Sequence, residues 1–108
     1  MTEANSSQVL VVLTTSAGLE TQLIDWLLLR EDETGFTSTA VNGHSANYDH
    51  LSVAEQVIGR QRRRQIQILL AQASLDACLT SLLADFADTE LHYWVIPVLA
   101  AGRTMPGH

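Results

Sequence analysis

Apolar positions along the chain fall into blocks with two different rhythms. Val9, Leu10, Val11, Val12 and Leu13 form an unbroken apolar run that ends in Thr14 and Thr15. A run this short and this rich in β-branched residues predicts a strand buried on both faces. Ser16 is placed to cap the helix that follows, and Glu20 falls in its first turn, where a carboxylate complements the helix dipole. Leu19, Leu23, Trp26, Leu27 and Arg30 keep the spacing of one helix face. The acidic turn Glu31-Asp32-Glu33-Thr34-Gly35 ends that helix, and residues 36–41 are β-prone, closed by Gly43. A long polar stretch runs from 43 to about 60. From Arg62 the pattern alternates, with Ile66, Ile68 and Leu70 on one side and Gln65 and Gln67 on the other, as in a half-buried strand. Ser74 stands before a second helical stripe, Leu75, Cys78, Leu79, Leu82, Leu83 and Phe86. A fourth strand spans 91–99, and Pro97 assigns it to a sheet edge because proline cannot donate to the ladder.

The order βαββαβ predicts an α+β protein of the ferredoxin-like, split-βαβ plan, with two helices on one face of an antiparallel four-stranded sheet. The first strand is apolar on both sides, so the other sheet face needs a cover. A second copy of the chain is the simplest one, and a homo-oligomer is expected. Tyr93 and Trp94 fall on opposite faces of the fourth strand, one toward the core and one toward a neighbouring subunit. The 108 residues suffice for one domain. We place it at 9–104, with tails at 1–8 and 105–108 and a long loop at about 43–60. A loop of that length in so small a domain is usually functional.

Charge sharpens the picture. Arg60, Arg62, Arg63 and Arg64 supply four of the six basic residues, Arg30 and Arg103 are the others, and there is no lysine. The net charge of −6 argues against nucleic-acid binding, which needs a broad basic face. A gathered set of guanidinium forks still suits one small anion. The lone Cys78 sits within a helical stripe and reads as a small core residue; a single thiol fits a reducing cytoplasm. The polar N-terminal segment lacks the pattern of a signal peptide, and no apolar run reaches the ~18–20 residues that span a bilayer.

Several stretches resemble the PII signal-transduction superfamily. Thr34-Gly35-Phe36-Thr37-Ser38-Thr39-Ala40-Val41-Asn42-Gly43 is similar to the PII strand that precedes the T-loop, Ala54-Glu55-Gln56 to a motif near the T-loop tip, and Arg103-Thr104 to the pair that follows the last PII strand. A closer resemblance is to the PII-like family DUF3240. It is carried by Gly35-Phe36, Gly43-His44, Leu51-Ser52-Val53-Ala54-Glu55-Gln56-Val57 with Gly59-Arg60, and Tyr93-Trp94-Val95 with Gly102-Arg103. The resemblance implies a homotrimer whose intersubunit clefts take a nucleotide or another small anion. It also implies a regulatory loop that acts on a partner protein, such as a membrane transporter or efflux system. Carried over, Gly43, His44 and Ser45 would form the loop base and Arg103 would meet a phosphate; the arginine cluster adds Arg60 and Arg62 to the expected ligand site. Three departures count against a classical ATP site. The glycine- and lysine-rich phosphate loop is replaced by the acidic Ala87-Asp88-Thr89-Glu90, the lysine before the loop glycine is Asn42, and the tyrosine that some PII proteins carry for uridylylation is Gln56.

The loop holds two further constellations. His44, Asp49 and His50 offer imidazole and carboxylate ligands of the kind that zinc, copper or nickel take, at a spacing that matches no established zinc motif. They give an alternative reading, a metal-binding protein linked to heavy-metal efflux or tolerance in the manner of the CutA proteins, which share this architecture. The stretch from Leu51 to Ile58 holds Leu51, Val53, Ala54, Val57 and Ile58, which is unusual in a loop that should be polar, and Leu51, Val53, Glu55, Gln56 and Val57 form a candidate docking surface for a partner. Glu55 with Arg60 or Arg62 would make a loop-closing ion pair. No residue pattern points to catalysis: the serines have no evident histidine–carboxylate partners, and there is no lysine for a Walker A motif or a Schiff base. We expect a protein that is not an enzyme.

Overall fold

The computed structural model describes residues 7–30, 33–44 and 61–106. Its elements follow in the order β1 (Gln8–Ser16), α1 (Glu20–Leu28), β2 (Glu33–Gly43), β3 (Gln61–Ala71), α2 (Leu75–Asp85) and β4 (Leu91–Val98). β1 pairs antiparallel with both β3 and β4, and β2 pairs antiparallel with β3, so the sheet order is β2-β3-β1-β4. This is the ferredoxin-like arrangement that the periodicity predicts. The most apolar strand, β1, takes a central place, and β4, which carries Pro97 opposite Val9, takes an edge.

Register decides which side chains meet. Val9, Val11 and Leu13 on β1 stand opposite Leu70, Ile68 and Ile66 on β3. These six, with Leu23 and Leu27 of α1 and Cys78 and Leu82 of α2, make one buried cluster. Each helix therefore contributes an i, i+4 pair, the spacing that puts two side chains on one face. Burial of a leucine at such a site is worth roughly 1.5–3 kcal/mol. Both helices lie on this face, and among the described residues no helix lies on the other. That open face presents Leu10, Val12 and Thr14 of β1, Gln65, Gln67 and Leu69 of β3, and His92, Trp94 and Ile96 of β4. Val12, between Gln67 and Trp94, is only 3% exposed, whereas Trp94 and Ile96 are 45% and 43% exposed.

The structure corrects some local expectations. Ser16 and Ser74 make no capping hydrogen bond through their side chains. Each helix grows instead out of a 3₁₀ turn, Ala17–Leu19 or Gln72–Ser74, in which Glu20 N–H donates to Ala17 O and Leu75 N–H to Gln72 O. The tighter winding takes up donors that a cap would otherwise serve. Helix α1 ends at Leu28, short of Arg30, whose guanidinium lies over the Trp26 ring at 4.8 Å. The Trp26 Nε1–H donates to Asp85 Oδ2 at 2.7 Å, and the Trp26 and Phe86 rings meet edge to face at 6.0 Å. Tyr93 lies on the helix side, opposite Leu13, yet stays 42% exposed because β4 is an edge strand. Tyr93 and Trp94 do fall on opposite faces, but neither is buried. In β2 the register shifts between Glu33 and Gly35, and Gly35 has φ +147°, a conformation that a side chain resists.

Candidate functional site

The alternation of β3 continues into its arginines. Arg62 and Arg64 fall on the helix side with Ile66, opposite Asn42 and Ala40 of β2. Arg63 falls on the open face with Gln65, opposite Ser16 and Val41. Arg62, Arg63 and Arg64, together with Ala17, Ala40, Val41 and Asn42, line a cleft of about 430 Å³. Gly43 ends β2 at this same end of the sheet, and His44 follows it, exposed.

Arg63 and Arg64 carry carboxylate partners. Arg64 Nε is 3.2 Å from Glu20 Oε1, in the first turn of α1. The Arg63 side chain is 5% exposed; it donates to the Thr14 carbonyl oxygen at 3.2 Å and lies 3.5 Å from Glu90 Oε1. The other Glu90 oxygen is 3.6 Å from His92 Nε2. Glu90 is held from behind, because Thr15 Oγ1–H donates to its backbone oxygen at 2.8 Å. The Thr14 hydroxyl, beside this group, is buried without a hydrogen-bond partner among the described residues. The acidic turn that replaces a phosphate loop thus reaches the arginine end of the sheet and puts one carboxylate on Arg63.

Arg103 lies elsewhere. It lines a second cleft, of about 550 Å³, with Gln8, Leu69, Ala101 and Gly102. Gln8 starts β1 and Ser16, opposite Arg63, ends it, so the two clefts are separated by the length of that strand. At ~3.3 Å per residue this is about 25 Å. Within one chain the structure therefore brings Gly43, His44 and Arg62 to one end and leaves Arg103 at the other. Ser45, Asp49, His50, Leu51, Val53, Glu55, Gln56, Val57 and Arg60 lie outside the described residues. Among the described residues no three histidine, cysteine, aspartate or glutamate side chains come together as a metal-binding group. Cys78 is buried, as its helical stripe implies.

Sequence reasoning alone does not single out three of the residues gathered here. Arg63 enters it only as a member of the arginine run. Counting alternate residues back from Gln67 and Gln65 puts it on the open face, and that is the signal that finds it. Glu90 and Thr14 carry no local signal, since only sheet pairing brings them to Arg63.

The sheet order and the one-sided helix layer define a fold of the ferredoxin-like class. Within that class the chain belongs to the DUF3240 family, described as a protein of unknown function, whose profile matches residues 5–105. Among solved structures it is similar to a DUF3240 family protein from Shewanella baltica, with a TM-score of 0.76 and 22% identity over 93% of this chain and 99% of that one. It is also similar to a proposed PII-like signaling protein from Thermus thermophilus, with a TM-score of 0.62 and 18% identity over 86% of this chain and 88% of the other. A comparison with curated proteins finds no match. No helix among the described residues is long and apolar enough to cross a membrane.

Proposed function

We propose that the chain is a non-enzymatic regulatory protein that assembles as a homotrimer through its bare sheet faces. It takes a small anion at the seams between subunits and acts on a partner protein through the loop at about 43–60. The observation that carries this reading is the open sheet face, where Trp94 and Ile96 remain exposed beside Val12 and Arg63 stands at one end. An apolar surface of that kind calls for a protein cover, and covering it with another copy brings cationic ends to subunit boundaries. The second support is the distance between Arg103 and the β3 arginines. They cannot meet one ligand within a chain, and a seam between chains is where they can. The similarity to a proposed PII-like signaling protein agrees with a regulatory role. The docking residues Leu51, Val53, Glu55, Gln56 and Val57 come from the loop stretch in which Leu51, Val53, Ala54, Val57 and Ile58 are apolar.

The test combines light scattering with thermal unfolding. A mass of three 11.8-kDa chains is expected, with an anion-dependent rise in melting temperature that Arg103→Glu abolishes. An unchanged rise in that variant removes Arg103 from the site, and a monomer at working concentration ends the reading.

A further inference from the structure

The arginine nearest to a ready-made anion seat is already in use. Arg63 is almost wholly buried and holds the Glu90 carboxylate at 3.5 Å, while the Glu90 side chain itself is 48% exposed. The pairing is lopsided: a fixed cation below and a carboxylate at the surface above it. The cation is fixed by its bond to the Thr14 carbonyl oxygen, and the Thr14 hydroxyl next to it has no hydrogen-bond partner among the described residues. The carboxylate has a second polar neighbour close by, since His92 Nε2 lies 3.6 Å from its other oxygen. The turn behind Glu90 is anchored through its backbone, to Thr15, so the side chain can swing away without releasing the strand.

From this geometry we infer that Arg63 is the anchor of the anion site and that Glu90 is its internal competitor, a carboxylate that fills the seat until an external oxyanion displaces it. The inference rests on the function proposed above and names the regulation of that site. A compact oxyanion with several oxygens takes the Arg63 fork as Glu90 does, and one oxygen can also accept from the idle Thr14 hydroxyl. Glu90 then turns to His92 and to water. Displacement makes the site selective. A weakly held anion leaves Glu90 in place, and only a ligand that binds Arg63 better than a tethered carboxylate changes the state of the turn that joins α2 to β4.

Calorimetric titration of the full chain with inorganic pyrophosphate tests this. Glu90→Gln keeps the side chain's size and leaves the backbone bond from Thr15 intact, so it removes the carboxylate charge that faces Arg63 and His92. The variant is expected to bind pyrophosphate at least about tenfold more tightly than the parent, the scale of one charge-assisted hydrogen bond. Adding Arg63→Gln is expected to erase that gain. If the double variant fails to fold, the comparison of the parent with Glu90→Gln still decides. Equal affinity in those two proteins overturns the competitor role and leaves the anion site standing, because that site is judged by the Arg103 variant. Binding by neither protein overturns both.

Discussion

Arg63 and Arg103 stand at opposite ends of the sheet, one opposite Ser16 at the end of β1 and the other beside Gln8 at its start. Each lines a cleft of its own. A site that uses both needs two chains, so oligomer and ligand become one question.

The assembly surface is the first point to check. Trp94 and Ile96 lie on the open face, and a charge placed between subunits there has no partner among the neighbours that register gives, Val12 and Leu10. Trp94→Glu is expected to drop the light-scattering mass to that of one chain while the circular dichroism of the fold is retained. An unchanged mass would move the interface to another surface.

Adjacent leucines at the end of α1 test the core. Leu27 is fully buried and Leu28 is 66% exposed. Leu27→Ala creates a cavity under the helix and should cost roughly 2–5 kcal/mol in urea unfolding. Leu28→Ala should stay within about 0.5 kcal/mol. Similar losses at both positions would mean that Leu28 is covered in the assembled protein.

Gly35 tests the irregularity in β2. Its φ of +147° is one that L residues rarely adopt, although a Cβ there would meet no atom within 4 Å. Gly35→Ala should destabilise by at least about 1 kcal/mol through backbone strain alone. A neutral result would show that the strand relaxes at the bulge.

Cys78 gives a direct probe of the helix layer. It is 1% exposed and belongs to the main cluster. A thiol-specific reagent should leave it unmodified in the native protein and react fully in denaturant; rapid native labelling would contradict the packing of α2.

Much of the fold is legible in the residues because burial imposes simple periods. The unbroken run at 9–13 marks a central strand, the alternation of Ile66, Ile68 and Leu70 marks a half-covered one, and Pro97 marks an edge. The helix starts are less legible. Serine before a helix is read as a cap, whereas a preceding 3₁₀ turn can serve the same donors, and the choice between the two depends on how the chain leaves the strand. The site is legible in composition but not in arrangement. The arginine run is plain, yet its charge balance depends on Glu90 and Glu20, which are distant in sequence and meet it only through the sheet and the start of α1. Arg103 resembles a ligand residue at the level of motif, and only the register shows that within one chain it lies at the other end of the sheet from the β3 arginines.

Mixed oligomers test the central claim most directly. Arg63→Gln and Arg103→Gln chains, each prepared alone, are expected to show little pyrophosphate binding by calorimetry. Unfolded together and refolded as a mixture, they should regain part of the parent's binding, because some seams then join an intact Arg63 from one chain to an intact Arg103 from the next. A mixture as silent as its two components, with the parent protein binding normally, would contradict a site shared between subunits.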